Sequence, residues 1–547
     1  PSTMAVGTYA GLITKRASIG TQQIATPGLR PVAIVLFGFG ATVSMSRPSV
    51  RGSAAFLVAA PGGQLQTLGR SGAIRDGALE GDTAGSGANA LVVPAVTAAG
   101  TGNPVASATL SRVFDGGFDL TWTQNDGGTE QFAILAIGGD VQAWTTRTAL
   151  PRATGPFSIA GAPFAPKLAL VLPDQPGGAN LGIGAVSAGS VTAQWGLSTF
   201  SPAGADPTQS TTRLVSGSLL ACTDGVGKVL AQAQVTGFTA NGMTLRATTA
   251  APTAGYGAQV LLIGGPDLVA LTGTLAKPVS PGAVSLSGVT WRPLGLLAAG
   301  GRGVAANAST PGVAIGIGVA ADDGVSPSGA GSAGAADRDG SATAIAASLV
   351  SPSAWVRPGP ASGAPGASSP VVRADATFAE YGGTLTFGAT DTVAERVAFL
   401  VIGGTRRGEL LAGGGVGAAR FTVASAQLGQ FPLLGAVARP AIAAALFTAP
   451  PAPLALAPVL GGAASASFTT AGAIGFAQPL DGSATAAFRA AVPRLGSAQP
   501  LQSAAAMKVA ASAAGRLIVP WPLTGTIGAA FGASGFLRLV LPDLLPA

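Results

Sequence analysis

One stretch occurs three times and restricts what this chain can fold into. Leu29-Arg30-Pro31-Val32-Ala33-Ile34-Val35-Leu36 returns as Phe164-Ala165-Pro166-Lys167-Leu168-Ala169-Leu170-Val171, and again as Trp291-Arg292-Pro293-Leu294-Gly295-Leu296-Leu297. Each copy places a large apolar residue two positions before a proline, then an apolar run short enough for a strand. Each is answered further on by a second apolar run ending in Ile-Gly-Gly: Phe132 to Gly139, Val260 to Gly265 and Phe399 to Gly404. Upstream of each Ile a third strand carries Leu120, Leu245 or Leu385 in the same place. Repeats of this length are whole domains rather than the rungs of a solenoid.

Within each copy, short apolar runs alternate with Gly/Pro turns and no helical period is sustained, which predicts antiparallel β-sandwiches. Phe118-Asp119-Leu120-Thr121-Trp122-Thr123 alternates as a half-buried strand does. Asn125-Asp126-Gly127-Gly128 then suits a hairpin turn, because these residues tolerate positive φ. The reading is an all-β chain of three tandem homologous sandwiches: residues 19–139, 140–265 and 266–404, preceded by an N-terminal arm at 1–18. The third copy is expected to carry a long Gly/Ala/Ser/Pro insertion from Ala321 to about Ser369.

Beyond a connector at 405–457, the pattern changes to a period of about 21 residues across 458–547. Phe447, Phe468, Phe488, Val509 and Phe531 recur at that spacing, and Pro479-Leu480, Pro500-Leu501 and Pro522-Leu523 open the last three units. Such a unit is a two-strand hairpin or one turn of a β-coil, and it must stack to bury its apolar face. That face is mostly Ala, too small to fill a sandwich core of normal thickness. The expectation is a C-terminal stem or plug that packs against identical chains, as a homo-oligomer and most simply a trimer.

Charge points the same way. Only 10% of residues are charged, against roughly 25% in ordinary soluble proteins, so much of the surface is expected to be covered in an assembly. The net charge is +7, but the basic residues are scattered singly, with no stripe, recognition helix or zinc spacing for nucleic acid. Cys222 is the sole cysteine, so no intrachain disulfide forms and a buried small hydrophobe is expected. The opening Pro1-Ser2-Thr3-Met4 does not read as an export signal. Prolines 450, 451, 453 and 458 break the most apolar region, so no membrane span is expected.

The chemistry available is limited. The chain has no His, which removes Ser-His-Asp triads, Cys-His pairs and His-ligated metals. Gly182-Ile183-Gly184 and Gly316-Ile317-Gly318 superficially resemble a nucleotide fingerprint, but they recur inside strands, where close backbone packing explains them. Paired carboxylates could cleave glycosides without His. The candidates are Asp322, Asp323, Asp337 and Asp339, with solvated turns as the ordinary reading. Asp337-Arg338-Asp339-Gly340 lacks the Glu that would complete a calcium loop. No catalytic residue, metal site or cofactor is assigned. Candidate glycan contacts are Trp144, just after the first Ile-Gly-Gly, and Trp355 with Arg357 in the insertion, since an aromatic beside Arg in a loop can bind a sugar face.

Thr21-Gln22-Gln23-Ile24 leading to Arg30-Pro31-Val32-Ala33-Ile34, then Phe118-Asp119-Leu120-Thr121-Trp122 to Ile137-Gly138-Gly139, resembles β-domains of phage and prophage tail-associated proteins. The Ala/Gly/Arg-rich style is similar to that of alphaproteobacterial siphophages and gene transfer agents. The resemblance covers about 19–404 in three copies and implies a non-enzymatic structural virion protein, assembled in the host cytoplasm. It would be a tail fibre, spike or baseplate component, bound to other virion proteins and to a host surface glycan or receptor. A capsule-degrading depolymerase and a cellular surface-layer or adhesin protein are the alternatives.

Overall fold

The structure, a computed structural model, describes residues 6–42, 49–74, 89–95, 103–202, 209–322, 327–337, 346–359, 370–379 and 382–404, and from 417 onward a set of strands. The chain divides into two compact units, Thr3–Thr405 and Arg406–Ala547.

In the first unit, sandwich 1 comprises β1 (Gly7–Thr14), β2 (Gly20–Ala25), β3 (Pro31–Gly38), β4 (Val50–Ala59), β5 (Leu65–Ile74), β6 (Leu91–Pro94), β7 (Pro104–Phe114), β8 (Gly117–Gln124) and β9 (Gln131–Gly138). Its large sheet has the order β1-β9-β3-β4-β5 and its small sheet β2-β8-β7-β6. The N-terminal segment expected to be a separate arm therefore supplies an edge strand of sandwich 1, with Ala10 opposite Leu135.

Sandwich 2 repeats the layout with β10 (Gln142–Ala149), β11 (Gly155–Ala160), β12 (Pro166–Asp174), β13 (Gly178–Ser187), β14 (Trp195–Pro202), β15 (Thr211–Ser216), β16 (Leu220–Thr223), β17 (Val229–Thr239), β18 (Gly242–Thr249) and β19 (Gly257–Gly264). Sandwich 3 follows with β20 (Leu268–Ala276), β21 (Gly282–Ser285), β22 (Pro293–Gly301), β23 (Ala308–Pro311), β24 (Val313–Asp322), β25 (Pro327–Asp337), β26 (Ala346–Ser351), β27 (Trp355–Pro358), β28 (Pro370–Phe378), β29 (Gly383–Ala389) and β30 (Arg396–Gly404). Their large sheets run β10-β19-β12-β13-β14-β15-β23 and β20-β30-β22-β24-β25-β26; their small sheets run β11-β18-β17-β16 and β21-β29-β28-β27. The stretch expected to be an insertion in the third copy thus contains β25, β26 and β27. Small residues read as a loop because they give little apolar pattern, yet they suit a strand that another backbone must approach closely.

The two halves of the repeated motif meet in space. Pro31, Pro166 and Pro293 lie opposite Gly138, Gly264 and Gly403, and in all three copies the register shifts just after the proline. A bulge there suits proline, which has no N–H to leave unpaired. The large residue two positions earlier covers the glycine. A Cβ on Gly138 would come within 2.8 Å of Leu29, and one on Gly264 within 2.7 Å of Phe164. One on Gly403 would overlap the Trp291 ring.

Both faces of each central strand are buried, which explains apolar runs without alternation. Along β3, Val35 and Phe37 face one core while Ile34 and Leu36 face the small sheet of sandwich 1. Leu168 and Leu170 against Ala169 and Val171 do the same in β12, as do Leu297 and Ala299 against Leu296 and Ala298 in β22. The inward residues of all three sandwiches form one shared core, joining Leu135, Leu261 and Leu400. The contacts close a ring: β1 packs on β24 and β25, β10 on β4 and β5, and β20 on β13 and β14. In each case the first strand of one sandwich lies on the fourth and fifth large-sheet strands of its neighbour.

The second unit is built differently. Its strands are β31 (Gly417–Thr422), β32 (Ala443–Thr448), β33 (Leu454–Leu456), β34 (Ala464–Thr470), β35 (Ile474–Phe476), β36 (Ala484–Ala490), β37 (Arg494–Ser497), β38 (Ala506–Ala511), β39 (Gly515–Ile518), β40 (Ile527–Phe531) and β41 (Leu537–Val540). They form two sheets, β31-β32-β34-β36-β38-β40 and β33-β35-β37-β39-β41. Neighbours are parallel, with Phe421, Phe447, Phe468, Phe488 and Val509 at one register position. Parallel pairing selects the coil over the hairpin, because a hairpin would pair its strands antiparallel. The coil also includes β31 to β33, from the span expected to be a connector.

Candidate functional site

Ionisable groups gather at equivalent places in sandwiches 1 and 3. Lys15 follows β1 and Lys277 follows β20; their backbone amides donate to the carbonyls of Glu130 (2.8 Å) and Glu395 (3.0 Å). Lys15 Nζ lies 2.8 Å from Asp126 Oδ1 and 3.7 Å from Glu130 Oε2, while Lys277 Nζ lies 3.1 Å from Asp391 Oδ1. Each acid pair also meets an arginine. Arg51 Nη1 sits 2.7 Å from Asp126 and 2.8 Å from Glu130, and Arg357 reaches Asp391 at 2.7 Å and Glu395 at 3.0 Å. The arginines come from different strands, β4 and β27. Sandwich 2 fills the same place without charge: the Leu150 amide donates to Tyr256 O at 2.9 Å, and Leu150, Ala251 and Tyr256 join its core.

Burial alone would raise Asp126, but hydrogen bonds from Lys15, the Gly128 amide and Arg51 outweigh it and hold the carboxyl at about 2. Asp391 is likewise lowered, its Arg357 and Lys277 contacts prevailing over burial. Glu395 goes the other way, because burial pushes it up more than Arg357 pulls it down. A lowered and a raised carboxyl side by side would suit acid–base work in a cleft. Here the Arg357 and Glu395 side chains are both 0% exposed. Glu395 accepts from Arg357 Nε at 3.0 Å and from the Gly303 amide at 3.1 Å. That pair is closed to solvent and ties β27 to the segment before β30, while Arg51 and Asp126 of the sandwich 1 cluster are 18% and 19% exposed and paired with each other.

An open groove of about 630 Å³ lies where sandwich 1 meets sandwich 2, bounded by β5, β7, β10 and Asn89. Both facing strands are sheet edges on that side, and side chains cap them. Gln66 Oε1 accepts from the Thr145 amide and hydroxyl, both at 3.0 Å. Thr67 Oγ1 accepts from the Leu110 amide at 3.0 Å, at the point where β7 shifts register. Arg147 Nη2 donates to Asn89 Oδ1 at 3.1 Å.

The residues singled out from sequence fall elsewhere. Trp355 and Arg357 are fully buried, which removes them as glycan contacts. Trp355 Nε1 donates to Gly316 O at 3.0 Å and Arg357 is committed to its ion cluster. Trp144 lies on β10 opposite Leu262 and packs half-buried on the sandwich 2 core. Asp322 pairs with Arg292 at 2.8 Å and Asp337 is buried, with Ser201 Oγ at 3.5 Å; Asp323 and Asp339 lie outside the described residues. Gly182 and Gly184 lie in β13 and Gly316 and Gly318 in β24, where a Cβ would overlap the carbonyl oxygens of Leu197, Leu219, Val356 and Ala354. Cys222 is buried, and burial pushes its thiol up to about 12.

Sequence reasoning missed the ion clusters, although Asp-x-x-x-Glu at Asp126–Glu130 and at Asp391–Glu395 was a readable signal. It also missed the groove, which exists only where two sandwiches meet. Among the described residues no group of three His, Cys, Asp or Glu is placed to hold a metal, and no helix is long and apolar enough to cross a membrane. Compared with known proteins, the chain matches no family model and no curated protein.

Proposed function

We propose that this chain is a non-enzymatic structural protein of a virion, a tail fibre, spike or baseplate component that contacts the host surface. The observation that supports this most is the closed ring of three homologous sandwiches on one shared core. A ring of that kind is a rigid platform, because each sandwich stabilises both neighbours. Its best-placed carboxylates are tied to Lys15, Arg51, Lys277 and Arg357 rather than presented in a cleft. The depolymerase alternative draws no support from Asp322, which is paired with Arg292. The parallel coil of the second unit supplies a stacking element, and copies of the chain are proposed to associate through it.

Two measurements test this reading. Antibody raised against the purified chain should label washed particles at one defined position. Light scattering of the chain alone should give a multiple of its monomer mass. Label confined to envelopes of uninfected cells would favour the surface-layer alternative, and clearing of capsule by the purified chain would favour the depolymerase.

A further inference from the structure

The ring contains three equivalent junctions, and strand register shows how each is closed. Ala55, Gly184 and Gly318 occupy one register position in the three sandwiches, and their partners are Gly69, Gly196 and Ser332. The preceding residues Leu68, Trp195 and Gly331 are therefore equivalent; two positions earlier sandwich 1 has Gln66 and sandwich 3 has Gly329, where sandwich 2 has a short 3-10 helix ending at Ala193. Between sandwiches 2 and 3 the Trp195 ring fills the junction and donates from Nε1 to Phe399 O at 2.8 Å. Between sandwiches 3 and 1 the backbones touch: a Cβ on Gly329 would overlap Ala10 O, and one on Gly331 would lie 2.6 Å from Gly11 O. At the junction of sandwiches 1 and 2 that position carries Leu68 instead; Arg70, 2.7 Å from Asp174, and Gln259, donating to Gly69 O, close the junction beside it, and the groove lies between β5 and β10.

We infer that this groove binds an acidic saccharide. The inference rests on the host-contact reading above and names its ligand. Leu65, 38% exposed, offers apolar surface to the C–H face of a sugar ring, and the buried Leu68 also lines the groove. Gln66, Asn89, Thr109 and Thr146 add amides and hydroxyls that match sugar hydroxyls. Arg147 is exposed and has no carboxylate in ion-pair range among the described residues. Its bond to Asn89 uses Nη2, leaving Nε and Nη1 for a ligand carboxylate. A single cation among neutral polar groups fits one carboxylate per few sugars better than a polyphosphate. The volume is within the roughly 300–1,000 Å³ of small-molecule pockets, and the bonds to Gln66 and Thr67 fix the walls in advance.

Titration calorimetry of the full chain with oligoglucuronate and with its carboxyl-reduced counterpart tests this. The intact chain should bind the acidic oligomer, and Arg147→Gln should weaken that binding at least tenfold while leaving the reduced oligomer unaffected. Leu68→Trp, which copies the filled junction, should abolish binding of both. Absence of oligoglucuronate binding to the intact chain, or equal binding by Arg147→Gln, overturns the inference. Either result leaves the position of the chain on particles unchanged, so the two readings fail separately.

Discussion

Acid should weaken sandwich 1 through Asp126. Its folded carboxyl is held at about 2, below its ordinary value of 3.8. A depressed acid contributes stability that is fully present above the unfolded value and lost as pH falls through the folded one. The urea midpoint should therefore hold down to about pH 4 and drop between pH 4 and 2, a drop that Asp126→Asn reduces. Cys222 should be inert, since the thiolate is the reactive form and burial holds its thiol near 12. A disulfide reagent should label it in denaturant and not in the native chain; rapid native labelling would contradict its burial. Sequence alone showed that Gly138, Gly264 and Gly403 recur. It did not show that Leu29, Phe164 and Trp291 cover them, because that contact joins residues roughly a hundred positions apart.

Elements of one topology are closed by different chemistry. Trp195→Leu should leave a cavity at the second junction, costing about 2–4 kcal/mol from lost packing together with the bond to Phe399. Denaturant titration measures the cost, and an unchanged midpoint would show that the ring contributes little. Arg357→Ala should cost about 3–5 kcal/mol, because it leaves a buried carboxylate without its partner. Sandwich 2 shows that the same place also works with Leu150 and Tyr256, so the fold requires a satisfied site rather than a charged one. Strands such as β3 were legible as apolar runs. β25 was not, since its Gly and Ala suit a close approach to β1 and carry little pattern.

At the scale of the whole molecule, the shared core couples the three sandwiches. Residues 3–405 should unfold in one calorimetric transition, with calorimetric and van't Hoff enthalpies in agreement; three separate transitions would show that the shared core carries little stability. The sequence by itself determined the strand content, the threefold repetition and the period of the C-terminal coil, because local apolar pattern and turn residues encode them. Tertiary structure decided that the sandwiches close a ring, that the N-terminal segment is a strand of the first, and that a groove lies where the first two meet. Those outcomes depend on side-chain volume where distant strands meet, Leu68 against Trp195 and Gly331, and no local pattern records which residues will face each other.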